Sequence, residues 1–186
     1  MKDLYFITGN NNKFIEVQKI IPNLKQLDID LAEIQSLDPQ EVIKHKLQEG
    51  LKQGKNNIIV EDTSLFFNNL NGLPGTFTKY FLKSLKAEGL YKLAKSFNAF
   101  NATALATVGY AKDTNNIKFF TGEVKGKIVP ERLTERSFGW DGIFEVEDVG
   151  KTFTQFTIEE KNKYSHRSRA FQKLKKPILM SVNTTV

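Results

Sequence analysis

Four stretches of this 186-residue chain carry residues whose types and spacing could do chemistry. The first is Thr8-Gly9-Asn10-Asn11-Asn12-Lys13. An apolar run, Leu4 to Ile7, leads into it and reads as a short buried strand. Behind it Phe14, Val17, Ile21 and Leu24 recur at three- and four-residue steps, one face of a helix. The stretch is therefore a tight strand-to-helix turn. Gly9 allows positive φ and close backbone approach, and the Asn residues tolerate left-handed conformations. A helix starting here has unpaired N–H groups and its positive dipole end facing the turn, and Lys13 adds a full charge. Such a turn suits an anion, most simply a phosphate. An ordinary Gly/Asn-rich βα turn accounts for the same residues. The Gly-x-x-x-x-Gly-Lys-[Ser/Thr] spacing of a Walker loop is absent.

The second stretch is Glu61-Asp62, predicted to sit just past a buried strand from Asn57 to Val60. Adjacent strand residues point to opposite faces, so both face one site only if the chain turns there. One reading is a solvated strand end; the other is a Mg²⁺ ligand or a water-orienting base. Glu33, past another predicted strand, could supply a second carboxylate. Hard oxygen donors suit Mg²⁺ with bound phosphates, whereas two His and no Cys make a poor zinc set. The third stretch, Phe138-Gly139-Trp140-Asp141-Gly142, reads either as a base-stacking platform with an acceptor at the base edge or as core aromatics beside a turn. The fourth runs from Lys161 to Arg169 and holds Lys161, Lys163, His166, Arg167 and Arg169. A basic helix face is ordinarily just solvated. His166 has no evident Ser and Asp partners, so a nucleophilic triad is not read here. Ser165 reads as a turn cap.

The elements that must position these residues follow from patterning. Leu27, Ile29 and Leu31 alternate with Asp28 and Asp30, predicting a strand over Leu27 to Leu31. Asp38-Pro39-Gln40-Glu41 is a helix start, with an N-cap acid, Pro at the first position and an acid three residues on. Ile43, Leu47 and Leu51 mark its buried face, Lys46 lies partway along, and Gly54 falls near its end. Leu70 to Gly75 is a turn cluster. Phe77 to Leu85 begins one helix, and Leu90, Leu93 and Phe97 mark another. Ala102 to Ala111 and Ile117 to Val124 read as strands joined by the turn Asp113-Thr114-Asn115-Asn116. Gly126 to Val129 continues or bulges the sheet, and Ile143 to Val146 is a further short strand. Thr157-Ile158-Glu159-Glu160 is a capping box opening a C-terminal helical region. The order, βα units first, a hairpin block later and a helix last, argues for an α/β fold with an antiparallel portion.

Composition bounds the classes. Hydrophobic residues make up 40 % and Phe alone contributes 15, enough for one good core, while the length is short for two independent domains. No linker or repeat interrupts residues 1–186, which read as a single domain. No stretch approaches the roughly 20 apolar residues of a membrane span, and no signal peptide is read. The absence of Cys excludes disulfides and thiolate metal sites and fits a cytoplasmic protein. The net charge of +6 suits polyanionic partners such as nucleotides, and equally a plain solvated basic surface.

Taken together, five blocks resemble the inosine triphosphate pyrophosphatase family, the Ham1-like enzymes that cleanse the nucleotide pool. They are Thr8-Gly9-Asn10-x-x-Lys13, Glu61-Asp62-Thr63, Gly72-Leu73-Pro74-Gly75 with Lys79, Phe138-Gly139-Trp140-Asp141, and Glu160-Lys161-Asn162-x-x-Ser165-His166-Arg167. They occur in the family's order and spacing across nearly the whole chain. The resemblance implies a long mixed central sheet with helices forming two lobes around a nucleotide-binding cleft, usually in a homodimer. It implies hydrolysis of non-standard purine nucleoside triphosphates (ITP, dITP, XTP) to the monophosphate and pyrophosphate, with Mg²⁺ as cofactor. By resemblance, Thr8, Gly9, Asn10, Asn11, Asn12 and Lys13 hold the triphosphate. Glu33 and Asp62 serve the metal, Asp62 orients the attacking water, and Thr63 follows in the same block. Lys46, Lys79 and Lys161 line the phosphates, with Lys44 competing for the Lys46 role. Phe138 stacks on the base within the Gly139-Trp140 loop, and Asp141, His166 and Arg167 read its edge. One departure stands out: Gln155 in Thr154-Gln155-Phe156 replaces an acid usual in the family. The Maf-like pyrophosphatases, which hydrolyse other nucleoside triphosphates, are a competing reading, but the Phe-Gly-Trp-Asp and Ser-His-Arg blocks favour the first family. An RNA-binding domain would interleave aromatics on exposed strands, a pattern this chain lacks, so neither nucleic acid nor membrane is an expected partner.

Overall fold

Leu4–Ile7 forms the first strand (β1), and Thr8 to Asn10 turns the chain into helix α1, Asn11–Gln18. This is seen in a computed structural model that describes residues 3–135 and 137–182. α1 is shorter than its apolar periodicity predicts, because Ile21 and Leu24 lie beyond it. Pro22 disfavours helix at the residue before it, and Ile20 and Ile21 close a turn onto the Val17 carbonyl instead. Leu24 opens strand β2, Leu24–Leu27, which pairs in parallel with β1 in the register Leu4↔Leu24 to Ile7↔Leu27.

The strand predicted at Leu27 to Leu31 is therefore displaced to β2. Leu27, Ile29 and Leu31 still pack against the core while Asp28 and Asp30 are exposed. Their alternation reports an extended segment with one face covered, not a hydrogen-bonded ladder. Helix α2, Pro39–Lys52, starts as read: Asp38 Oδ1 accepts from the Gln40 N–H at 2.8 Å, and Pro39 fills the first position. Gly54 takes φ +72° just past its end.

Strand β3 covers Ile58–Phe67 and runs straight through Glu61 to Ser64, where the sequence reading ended it. Then come the one-turn 3₁₀ helix Asn68–Leu70, β4 at Pro74–Gly75 and helix α3, Thr78–Ser96. Within α3, Lys86 breaks the helical geometry with φ 61° and ψ 178°, so this stretch is two helices joined at a kink, as the apolar pattern predicts. β5 (Asn101–Asp113) and β6 (Asn116–Ile128) form the predicted hairpin, its turn held by Asp113, whose carboxylate accepts from the Asn115 N–H and the Asn116 amide. β6 extends as far as Ile128, where Gly126 faces β7, Phe144–Val146; a Cβ there would lie 2.3 Å from the Glu145 carbonyl. Helices α4, Ile158–Tyr164, and α5, His166–Val182, end the described chain. The α4 capping box is formed: Glu160 N–H donates to Thr157 Oγ1 at 3.2 Å, and Thr157 N–H to Glu160 Oε2 at 2.8 Å.

The seven strands make one mixed sheet in the order β2-β1-β3-β5-β6-β7, with β4 on β3. β1 pairs in parallel with β2 and β3, while β3–β4 and β6–β7 are antiparallel. The expected mixed sheet flanked by helices is thus present. The residues group into two compact units, neither of them a continuous stretch of sequence. The first comprises residues 1–62, 106–122 and 167–186. It has apolar side chains on both sheet faces. Phe6, Ile59 and Val108 meet Val17 of α1 and Phe171 of α5 on one face, and Ile7, Ile58 and Val60 meet Ile43 and Leu47 of α2 on the other. The second comprises residues 63–105 and 123–166 and has its own core, in which Leu65, Leu90, Ala104, Ile128, Phe144 and Phe153 pack together.

Candidate functional site

In the first unit the β1–α1 turn is built by local hydrogen bonds. Thr8 Oγ1 accepts from the Asn10 N–H at 3.1 Å, and Asn10 caps α1 by accepting from the Lys13 N–H at 3.1 Å. The amide of Gln26 on β2 donates to the Thr8 carbonyl at 2.9 Å and to Asn11 Oδ1 at 3.1 Å. Two details differ from the sequence reading. Gly9 is not in the left-handed region; a Cβ there would meet Asp28 Oδ1 at 2.7 Å, so a larger residue would displace the exposed Asp28 carboxylate. Asn10 is extended, with φ −95° and ψ 101°, as an N-cap requires. The N–H groups of the first helical turn at Asn11 and Asn12 have no helical acceptor, as at any helix start.

Because β3 does not turn at Glu61, Glu61 and Asp62 face opposite sides of the sheet. Ile58 and Val60 lie on the α2 side, and Asp62 follows them in parity; Ile59 lies on the α1/α5 side, with Glu61. On the α2 side Lys46 Nζ contacts Glu33 Oε1 at 2.9 Å and Asp62 Oδ1 at 3.2 Å. Burial pushes the Lys46 ammonium down, but the fields of Asp62 and then Glu33, with hydrogen bonds from both, outweigh it and hold its pKa above the ordinary lysine value. Two carboxylate oxygens therefore converge on one cationic centre, and both acids keep part of their surface open to solvent. That donor set fits Mg²⁺, which takes one or two protein carboxylates and completes its shell with water and phosphate oxygens. Among the described residues no group of three or more His, Cys, Asp or Glu forms an all-protein cage.

On the opposite face Glu61, with a fully buried side chain, meets two cations. Lys13 Nζ lies 2.7 Å from Oε2, an ion contact off the hydrogen-bonding direction, and Arg167 Nε donates to Oε1 at 3.3 Å. Arg167 also donates through Nη1 to Glu16 Oε2 at 2.5 Å. Glu16 is not among the residues the sequence reading singles out, and Glu61, read there with Asp62 as a candidate Mg²⁺ ligand or base, instead faces Lys13 and Arg167 on the other side of the sheet. The only sequence signal for Glu16 is its place three residues after Lys13 on α1, and a buried acid at that spacing is indistinguishable from a surface pair.

The second unit holds a separate constellation. Trp140 is buried: it stacks on His166 with ring centroids 5.4 Å apart and meets Phe144 edge-on at 5.5 Å. Of the two loop aromatics, Phe138 is the one left half-exposed, beside Gly139 at φ +63°. Asp141 Oδ2 accepts from Lys161 Nζ at 2.5 Å, with both side chains buried, and the same ammonium sits over the Phe153 ring at 5.4 Å. Lys161, associated by resemblance with the phosphates, is thus paired with a residue of the base-reading group. Arg167, associated with that group, has its side chain among acids of the first unit. Thr63 is half-buried on β3, and Lys79 is exposed in the first turn of α3. Thr78 tethers that turn by donating to the Gly75 carbonyl and accepting from the Leu65 N–H. Gln155, in place of the family's acid, accepts from Arg132 Nη1 at 3.0 Å and from the Thr152 N–H at 2.9 Å; Arg132 also pairs with Glu145.

A mixed α/β fold of this kind is shared with solved Ham1 proteins. That from Coxiella burnetii superposes with a TM-score of 0.82 over 97 % of this chain and 100 % of its own, at 20 % identity. Residues 4–177 match the Ham1 family. The inosine triphosphate pyrophosphatase of Puccinia graminis f. sp. tritici is 40 % identical over 183 residues, 92 % of this chain and 94 % of that protein. That of Saccharomyces cerevisiae is 38 % identical over 187 residues, 93 % and 94 % of the two chains. The chain belongs to the Ham1 family.

Proposed function

We propose that this protein hydrolyses non-standard purine nucleoside triphosphates (ITP, dITP and XTP) to the nucleoside monophosphate and pyrophosphate, using Mg²⁺. The observation that carries the reading is the convergence of Glu33 and Asp62 on the Lys46 ammonium, in the same unit as the Thr8–Lys13 turn. The family membership and the printed names of its curated relatives support it. A nucleotide has a polyanionic end and an aromatic end. The first unit carries the Thr8–Lys13 turn and Lys46, and the second carries Lys79 and the aromatic loop with an acid–lysine pair.

Glu33 and Asp62 are the residues to hold Mg²⁺, which when bound neutralises charge on the phosphate oxygens. Asp62 orients a water whose oxygen attacks the α-phosphorus as the bridging bond to the β-phosphate breaks and pyrophosphate leaves. The N–H groups of the turn, Lys13, Lys46 and Lys79 take up the charge that builds on the departing pyrophosphate. Phe138 stacks on the base. Asp141 and Lys161 offer an acceptor beside a donor, the complement of the N1–H and six-oxo edge of hypoxanthine. Adenine presents the reverse pattern, and unpaired buried polar groups of that kind discriminate by roughly 10⁴–10⁵-fold. Trp140 and His166 back the loop. Residues 1–186 act as one domain, and a homodimer in the cytoplasm completes the reading; residues 1, 2, 136 and 183–186 lie outside the described set. Among the described residues no helix is long and apolar enough to cross a membrane.

Pyrophosphate release from ITP, XTP, dTTP and ATP with Mg²⁺ tests the reading. Turnover is expected for ITP and XTP; a preference for dTTP would point to Maf-like chemistry, and none at all would remove the activity. Asp62→Asn, which keeps size and hydrogen bonding but loses charge, is expected to fold and to lower kcat by about 10²–10⁴-fold. Turnover near that of the wild type would exclude Asp62 from water activation.

A further inference from the structure

Gln26 lies on β2, outside the five blocks that carry the family resemblance, and its side chain reaches into the Thr8–Lys13 turn. Its amide donates to the Thr8 carbonyl at 2.9 Å and to Asn11 Oδ1 at 3.1 Å. The Thr8 N–H in turn donates to the Leu27 carbonyl at 2.9 Å, so β2 holds both backbone polar groups of Thr8. The ties continue inward. Thr8 Oγ1 accepts from the Asn10 N–H, and Asn10 Oδ1 accepts from the Lys13 N–H, each at 3.1 Å. One chain of hydrogen bonds thus runs from Gln26 through Thr8 and Asn10 to the backbone of Lys13. All of these residues belong to the first unit, and β2 lies at the edge of the sheet beside β1. Asn11 opens α1 and is exposed, so its hydrogen bond to Gln26, more than packing, sets where its side chain lies.

We infer that Gln26 is a positioning residue for the polyphosphate: it holds the β1–α1 turn in the form that receives the phosphate tail. The first reason is preorganisation. A turn already fixed in its bound form loses less conformational freedom when an anion arrives, so more of the contact energy appears as affinity. The second reason concerns Asn11. Its side-chain oxygen is an acceptor beside the N–H groups of the first helical turn, where a short polar side chain readily bonds the nearby backbone. Gln26 engages that oxygen from β2, and so keeps it from competing with a phosphate oxygen for those N–H groups. An amide NH₂ suits the task, because it has two donors and the turn presents two acceptors, the Thr8 carbonyl and Asn11 Oδ1. The inference rests on the triphosphatase reading, in which the Thr8–Lys13 turn holds the phosphates. It adds a residue that this reading does not contain.

The test measures binding of inorganic tripolyphosphate to the full chain with Mg²⁺ by calorimetry, beside the urea midpoint and amide hydrogen exchange. Gln26→Met keeps the size of the side chain and removes its donors. It is expected to raise the Kd for tripolyphosphate about tenfold, the equivalent of one to two ordinary hydrogen bonds. Exchange over residues 8–13 is expected to quicken, while exchange in α2 and the urea midpoint stay as in the wild type. Asn11→Ala removes one of the two acceptors and is expected to weaken binding part of the way. Added to Gln26→Met it should cost little more, because the contact it removes is already gone. An unchanged Kd in Gln26→Met overturns the inference. So does a variant in which affinity, urea midpoint and the protection of α2 all fall together, since that is what a merely structural role would do. Fully additive losses in the double variant also overturn it, because the two residues would then act separately. A wild type that binds no tripolyphosphate, or releases no pyrophosphate from ITP, fails at an earlier step: it removes the triphosphatase reading and the inference with it.

Discussion

Asp141 carries the sharpest consequence at the scale of single residues. By resemblance it is a reader of the base edge, and in the fold it is also the counter-ion of a buried lysine. Truncation and isosteric replacement therefore separate two effects. Asp141→Ala leaves Lys161 buried without its carboxylate, which costs about 3–5 kcal/mol of stability in pairs of this kind. Asp141→Asn keeps an acceptor for Lys161 and adds a donor toward the base, so it should be the milder change in stability and the clearer one in specificity. The expected outcome is a fall in the ITP/ATP ratio of kcat/KM for Asp141→Asn, with a smaller drop in unfolding midpoint than for Asp141→Ala. An unchanged ratio in the asparagine variant would take Asp141 out of base recognition and leave it a structural partner of Lys161.

At the scale of elements, helix α3 is the one under strain. The apolar pattern predicts two helices, and the chain forms two, joined at a kink where Lys86 has φ 61° and ψ 178°. That region is essentially reserved for glycine, and a side chain held there costs on the order of 1–3 kcal/mol. The compensating contact is small: Lys86 Nζ donates to the Lys83 carbonyl at 3.2 Å on an exposed surface. Lys86→Gly is therefore expected to raise stability by roughly 1 kcal/mol, read as a higher urea midpoint at constant slope. A lower midpoint would mean that the larger backbone freedom of glycine in the unfolded chain outweighs the relief of strain. Three other helix starts are conventional. Asn10, Asp38 and Thr157 each accept from a first-turn N–H, and each was legible as a cap or turn residue in the sequence.

For the whole molecule, the relevant quantities are net charge and assembly. A chain of net charge +6 attracts a triphosphate over distances that salt shortens from about 30 Å at 0.01 M to about 3 Å at 1 M. Raising ionic strength is thus expected to raise KM for ITP while leaving kcat nearly constant, because attraction to the protein's charge acts on association. A parallel fall in kcat would place the salt effect in the chemical step. Sedimentation checks the homodimer: a particle of twice the 21.2 kDa chain is expected, and a single-chain mass would refute it.

The class of fold was legible in the sequence alone, because strand and helix periods, cap residues and clustered Gly/Asn turns are local signals, whereas the proposed roles of the site residues came from the family resemblance. Five short blocks in order were enough to name the family, and the family match over residues 4–177 bears this out. What the tertiary structure decided is which groups share a partner. Glu61 and Asp62 are neighbours in sequence, yet β3 runs straight on and the pleat sends them to opposite faces. One joins Lys13 and Arg167, and the other joins Lys46 and Glu33. His166 and Arg167 are likewise adjacent, but one packs on Trp140 and the other reaches Glu16. Ion pairs such as Arg167–Glu16, separated by 151 positions, leave no periodic trace in a sequence. They arise only when strands and helices distant in the chain are brought into one core.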